Sequence, residues 1–418
     1  MDGNPGTTGR DRPSDLAGQQ QRVPALTGVR VIDLTQIYNG PYATFLLAVG
    51  GAEVIKVEPP AGEHLRKRDA TAGAALPFAM LNANKRSMVL DLKSAAGRTA
   101  LLALVDKADV LVENFTPDVM DRLGLGYSAL SARNPRLIYA TGSGYGLDGP
   151  YRDFPAMDLT IQAMSGLMSV TGFPGQPPLK AGAAVCDFFA GIHLYSAILT
   201  ALYERERSGH GQRVEVSMLE AIYVSLTSNL GPALERSGSV LIGATGNRHG
   251  GLSICPYNVY KARDGYIAII CNNDTHWKSL TKALDLGELA TDPAHADMKG
   301  RVQAMDKIDD AINALTGQRR RDELFALLID HHVPCAPVRT LDEVINDPHL
   351  HGRGALRWID HPEYGRLVVP TGALRLHGSP SAPYEPSHRL GSDTEAVLAE
   401  VAGFDAQEIA RLRSNGAF

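Results

Sequence analysis

One carboxylate, Asp158, follows the turn Gly149-Pro150-Tyr151-Arg152-Asp153-Phe154-Pro155 and opens the apolar helical run Leu159-Thr160-Ile161-Gln162-Ala163-Met164. A carboxylate at a helix mouth can accept the free N–H groups of the first turn and lies at the positive end of the helix dipole. Held there as an anion, it is a preformed oxygen nucleophile. The plainer alternative is that Asp158 only caps its own helix, because aspartate is among the commonest capping residues.

The elements around this residue are those of an α/β fold. Short β-rich runs at Val29–Leu34, Val54–Val57, Met88–Leu92, Val110–Val112 and Leu137–Tyr139 alternate with helical patterns such as Pro41–Val49 and Ala95–Lys107. That alternation predicts βαβ units and a mostly parallel sheet. In such sheets ligands bind beyond the carboxyl ends of the strands. The segments found there are Gln36 to Gly40, Glu113-Asn114-Phe115 and Thr141 to Gly146, and they should surround one site with Asp158 close behind the third. Gly142-Ser143-Gly144-Tyr145-Gly146 lets backbone approach a ligand, but it is not the dinucleotide fingerprint.

Further on, Arg213–Ser217 reads as a strand. Asn258–Lys261 and Tyr266–Cys271 read as a hairpin around Asp264-Gly265, Trp277–Ala283 and Arg321–Ile329 as helices, and Pro334–Val338 as a strand-like exit. Near the end come a strand at Leu367–Val369 and two closing helices, the last with the capping box Asp405-Ala406-Gln407-Glu408.

With 418 residues, 44% hydrophobic and 21% charged, the chain reads as an ordinary globular protein large enough for two lobes. A net charge of -5 argues against nucleic acid or an anionic membrane as partner. No apolar run is read as a membrane span. The cysteines 186, 255, 271 and 335 are scattered, and His331-His332-Val333-Pro334-Cys335 lacks a second cluster. No metal and no tightly bound cofactor are expected, and the thiols read as those of a reduced, cytoplasmic protein.

Several spaced motifs together resemble the class III (family III) CoA-transferases, which include formyl-CoA transferase, carnitine-type CoA transferases and, as a relative, α-methylacyl-CoA racemase. They are Leu26 to Thr35, Gly40-Pro41, Gly51 to Pro60, Asn82 to Ser87, Leu90 to Lys93, Asp109 to Phe115, Asp121 to Gly124, Asn134 to Ile138, Gly144 to Gly146, Asp158, Gly209 to Gln212, Asn272 to Trp277 and Leu390 to Glu395. The resemblance runs from about residue 25 to the end. It implies that Asp158 attacks an acyl-CoA to give an anhydride and then an aspartyl-CoA thioester, which a free carboxylic acid opens. It places CoA against Tyr38, Asn39, Asn114, Phe115, Arg122, Gly144 and Tyr145, with Arg122 on a phosphate. Without the resemblance, Arg122 reads as a helix-surface arginine paired with Asp118 or Asp121.

The resemblance also implies a Rossmann-like large domain built from both chain ends, a smaller α+β domain, and an interlocked, ring-like homodimer. On this chain the divisions are expected at 1–24 (by composition a disordered tail), 25–225 (large domain), 226–252 (linker and glycine loop), 253–339 (small domain) and 340–418 (linker and return to the large domain). Departures concern the substrate. Pro59 stands where formyl-CoA transferase has an arginine, Arg68 falls near its acyl-pocket tryptophan, and Gly246-Asn247-Arg248-His249-Gly250-Gly251 replaces its run of glycines. Arg68, Arg248 and His249 suggest an anionic acyl tail such as a dicarboxylate, and Gly250 and Gly251 a lid or oxyanion donors; a solvated basic loop is the alternative. Met157 precedes Asp158 where the racemase has histidine, so racemase or isomerase chemistry is the second reading and a silent CoA-binding protein the third.

Overall fold

The computed structural model describes residues 22–67, 76–235 and 243–418. Six parallel strands form the main sheet: β1 Arg30–Asp33, β2 Glu53–Glu58, β3 Lys85–Val89, β4 Val110–Glu113, β5 Ile138–Ser143 and β6 Arg213–Ser217. Their order is β3-β2-β1-β4-β5-β6, so the winding reverses between β1 and β4. A crevice must open at that reversal, because the crossovers from the two central strands leave to opposite faces.

Helices cover both faces. Helix α1, Asn39–Val49, follows β1; α2, Ala95–Val105, follows β3; α3 is Asp158–Met164 and α4 is Val185–Ser208. The β1 and β4 side chains alternate between two apolar cores. Ile32 and Leu111 face α2, whereas Val31, Val110 and Val112 face α1 and α4. The C-terminal helices close the first core with Val397, Leu398, Ile409 and Leu412, and Asp91 N donates to Ala417 O at 2.7 Å. A separate core unites β7 (Tyr257–Ala262), β8 (Gly265–Ile270), α5 (Met305–Thr316) and β9 (Cys335–Pro337), including Tyr260, Ile267, Ile308 and Ile312. Two further antiparallel strands, β10 (Leu356–His361) and β11 (Gly365–Pro370), precede the return.

The structure shifts some predicted boundaries. β3 begins at Lys85 rather than Met88, because Lys85 and Ser87 are buried on a strand whose polar residues hide its pattern. β5 runs on through Thr141-Gly142-Ser143, the Thr141 hydroxyl bonding Glu113 Oε1 at 2.8 Å. Helix α4 is long and apolar enough to cross a membrane by length and composition, which the sequence reading missed. Here it packs on α1, β5 and β6.

Beneath the crevice lies a buried charge cluster. Asp33, at the end of β1, takes Lys85 Nζ at 3.0 Å and has Lys56 Nζ at 3.8 Å, all three side chains being at most 2% exposed. The Thr44 hydroxyl donates to Asp33 Oδ2 at 2.7 Å, and Thr35 N donates to Oδ1 at 2.9 Å. Lys85 also donates to Asn82 Oδ1 and Pro41 O, and Lys56 to Thr35 O. Burial pushes the Asp33 carboxyl up, but the two ammonium groups and two hydroxyls outweigh it and hold it well below the usual carboxylate range. Burial likewise lowers Lys85, to about 8, against the pull of Asp33.

Removing Asp33 leaves two buried cations without their counter-ion. Asp33→Asn should therefore cost on the order of 3–5 kcal/mol in urea unfolding at pH 7. Since its folded pKa lies below its unfolded one, the stability Asp33 contributes is present above roughly pH 4 and fades as pH falls below it. A loss under about 1 kcal/mol would mean that solvent or relaxation screens the pair.

Candidate active site

The loops after β1 and β4 are bolted together across the reversal point. Gln36 N donates to Asn114 Oδ1 at 2.8 Å, and Asn114 Nδ2 donates back to Gln36 O at 2.9 Å. The next residue, Ile37, has a φ of 66°, a costly conformation for a β-branched residue. Its N–H is held by buried Glu63 Oε2 at 3.1 Å. Strain at this spot, stabilised by a buried carboxylate, sets how Tyr38 and Asn39 leave the loop. Gly40 is required there, because a Cβ would lie 2.2 Å from Thr35 Cγ2.

Beyond these loops a cavity of about 290 Å³ opens over the ends of β1 to β4, lined among others by Gln36, Pro59, Glu63, Lys93, Phe115 and Arg122. The exposed Arg122 has no ion pair or side-chain hydrogen bond among the described residues, and Asp118 is engaged by Arg152 instead. The surface pairing offered for Arg122 is therefore absent. Phe115 lines the cavity, and both polar groups of Asn114 serve Gln36. Lys93 and Glu63 also line the cavity though the sequence reading does not single them out as site residues; the Leu90-Asp91-Leu92-Lys93 motif is the available signal for the first.

The surroundings of Asp158 differ from expectation. It is the first residue of α3, whose N-cap, Met157, makes no side-chain capping bond, yet its carboxylate does not serve α3. Asp158 Oδ1 accepts Cys186 N at 2.8 Å and Asp187 N at 3.3 Å, so it caps α4, a helix beginning 27 residues later. Buried Gln162 Nε2 donates to Oδ2 at 2.6 Å, while Gln162 Oε1 accepts Ala181 N at 2.8 Å. One amide thereby ties Asp158 to the segment leading into α4. The 24-residue α4 directs its positive end at the carboxylate.

Two neighbours titrate abnormally. Burial, then the charge of Asp158, pushes Asp187 up to about 7. Burial and the same two carboxylates push the Cys186 thiol up to about 12, which leaves it protonated and a poor nucleophile at neutral pH.

Tyr38 reaches this region through its ring, stacked on Phe188 of α4 with centroids 5.8 Å apart. Asn39 is buried, its Oδ1 has no donor among the described residues, and a Cβ on Gly142 would lie 2.7 Å from it. Gly144 serves packing: a Cβ there would sit 2.1 Å from Ala156 Cβ, two residues before Asp158. Tyr145 stacks edge-on with Tyr151 and Phe154, at 6.0 and 6.1 Å.

The glycine loop makes several contacts within its own chain. Arg248 pairs with Asp306 at 2.7 Å and Asp309 at 2.8 Å, both on α5. His249 Nδ1 accepts Gly251 N at 3.2 Å, and its ring meets Tyr257 edge-on. Gly250 packs on Asn229, where a Cβ would lie 2.6 Å from Nδ2. Gly246 N donates to Gly172 O at 2.8 Å, which brings the loop against the segment after α3. Arg248 is thus engaged within its own chain rather than free for an acid, and Arg68 lies outside the described residues.

Residues 26–394 match CoA-transferase family III. The chain is 36% identical to formyl-CoA:oxalate CoA-transferase of Streptomyces avermitilis over 94% of this chain and 99% of the relative. It is 35% identical to succinate–glutarate CoA-transferase of Agrobacterium fabrum, over 92% and 98%. The crystal structure of a CAIB/BAIF family protein from Brucella suis superposes with a TM-score of 0.80 at 34% identity, covering 91% of this chain and all of that one. With its Rossmann strand order and one carboxylate poised at a long helix, the chain belongs to CoA-transferase family III, whose chemistry exchanges CoA between an acyl-CoA and a carboxylate.

Proposed function

We propose that the protein moves CoA from an acyl-CoA donor to a small carboxylic acid, with Asp158 as the covalent nucleophile. The observation that carries this reading is the half-buried Asp158 carboxylate, fixed by Gln162 and the α4 N-terminus. Its oxygen attacks the thioester carbonyl, the C–S bond breaks, and a mixed anhydride and CoA thiolate result. The thiolate then attacks the aspartyl carbonyl, releasing the donor acid and leaving aspartyl-CoA. An acceptor carboxylate opens that thioester to a second anhydride and thiolate, and the thiolate takes the new acyl group, restoring Asp158. Backbone N–H groups near Gly144 or Gly250-Gly251 are the proposed oxyanion donors.

CoA is proposed to lie with its nucleotide in the cavity beside Phe115, Lys93 and Arg122 and its thiol end past Tyr38 and Asn39. Unpaired Arg122 offers a phosphate a charge-assisted fork. A dicarboxylate acceptor draws support from the two relatives, named for oxalate and for succinate and glutarate. Arg248 no longer supports it. The paired variants separate the roles. Asp158→Ala should lose transfer while still binding CoA, and hydroxylamine should trap an acyl group on Asp158 of the wild type. Arg122→Ala should weaken CoA binding roughly tenfold or more, with a smaller effect on 3′-dephospho-CoA. Turnover by Asp158→Ala would refute the covalent mechanism; α-proton exchange without an acceptor acid would indicate the racemase reading.

Asp187 is proposed to keep a proton near neutrality so that only Asp158 of the two carboxylates is anionic. Its folded pKa of about 7 lies above its unfolded one, so folding binds a proton between roughly pH 4 and 7 and stability falls as pH rises through that window. Asp187→Asn should match the wild type near pH 4 and be the more stable at pH 8. A parallel pair of stability curves would place the proton elsewhere.

An interlocked homodimer in the cytoplasm is proposed, with the small domain at about 253–339. Phe189, Ile192 and Tyr203 on α4, with Tyr223 and Val224 just beyond β6, are 37–68% exposed, an apolar face on the flank of the site that a second copy would cover. Sedimentation velocity should show a dimer, and Ile192→Glu should shift it toward monomer. A wild-type monomer at micromolar concentration would remove this proposal.

A further inference from the structure

Away from the catalytic end, beside the C-terminal end of α1, the segment between β10 and the closing helices folds around a cavity of about 370 Å³. Its lining carries three guanidinium groups, Arg353, Arg357 and Arg375, and no carboxylate. All three arginines are exposed, and none has an ion pair or side-chain hydrogen bond among the described residues. Most arginines of this chain behave otherwise. Arg30, Arg66, Arg86, Arg133, Arg205 and Arg301 each find a carboxylate within 3.1 Å.

Two more observations point the same way. Tyr384 lines the cavity with the Arg357 guanidinium 5.9 Å from its ring centre, and its hydroxyl is shut off from solvent with no hydrogen-bond partner among the described residues. A buried hydroxyl without a partner is costly and uncommon. Ser381, on the same wall, adds a hydroxyl. The wall therefore offers three cationic forks and the Ser381 hydroxyl to whatever enters, with the Tyr384 ring beside them.

We propose that this cavity is a binding site for a small multiply charged oxyanion, of the phosphate or di- and tricarboxylate type, separate from the site of CoA transfer. Guanidinium forks match the paired oxygens of such groups, and an anion would relieve the mutual repulsion of three unpaired cations. The cavity lies at the end of α1 opposite Tyr38 and Asn39, so its occupant does not overlap the Asp158 machinery. This proposal does not depend on the transfer mechanism above.

The test is thermal unfolding of the full-length protein with sodium phosphate, citrate or succinate, against sodium chloride at matched ionic strength. At tenfold excess over its dissociation constant, the anion should raise the melting temperature by roughly 1–2 °C, saturably. Arg353→Gln/Arg357→Gln/Arg375→Gln should abolish the rise, and the single Arg375→Gln, at an exposed position, should weaken it if the triple variant fails to fold. A response to phosphate alone, or to the carboxylates alone, identifies the anion class within the proposal. No rise beyond chloride, or an equal rise in Arg375→Gln and the triple variant, would overturn it. So would dissociation of an oligomer by Arg375→Gln, because the counter-ion would then be a carboxylate of another copy.

Discussion

Everything at the catalytic end of the sheet hangs on a single buried anion. Asp33 ends β1, and the two lysines that neutralise it come from β2 beside it and from β3 beyond. Through Lys85 the cluster reaches Pro41 O and Thr44 in α1, and through Lys56 it reaches Thr35 O in the loop. Three strands, one loop and one helix are thus fixed relative to each other at one point. Buried ion pairs contribute little net stability compared with apolar packing, but they penalise every arrangement in which a partner is missing. Here that penalty falls on any slip of the loop carrying Tyr38 and Asn39.

The site built on that foundation has two parts joined by the same loop. On one side, the cavity of Phe115 and Arg122 lies over the strands where the winding reverses, the place that topology alone makes concave. On the other, Asp158 stands at the head of α4, where backbone N–H groups and a buried amide leave its carboxylate little rotational freedom. The strained Ile37 sits between them, held by Glu63. Such strain survives only where the surroundings over-determine the backbone.

How much of this could be read from the chain follows a physical line. Runs such as Val31-Ile32 and Val110-Leu111-Val112 announce buried parallel strands, and the Asp264-Gly265 hairpin and the Asp405 capping box carry their own local chemistry. Lys85 and Ser87 do not announce a strand, because what makes them buriable is Asp33, 52 residues away from Lys85. Asp158 was conspicuous at a helix mouth, but the helix it caps was hidden, since the partner N–H groups belong to Cys186 and Asp187. Arg248 was read as free because its carboxylates, Asp306 and Asp309, lie some 60 residues downstream in another core. Asn114 matched the family pattern, while its bonds to Gln36 are a tertiary fact.

The way Asp158 is held has a consequence for the order of events on it. At rest, the Cys186 and Asp187 amides serve the Asp158 anion, and in the covalent mechanism proposed above that charge would vanish once the carboxylate is part of an anhydride or thioester. The helix head then faces a neutral carbonyl, and its unmet pull on negative charge is greatest in the acylated states. When a thiolate or carboxylate next attacks the aspartyl carbon, charge returns to an oxygen of that same group, beside the same two amides. The resting cap of α4 would thereby become a polarising clamp on the intermediate, favouring its turnover over its accumulation.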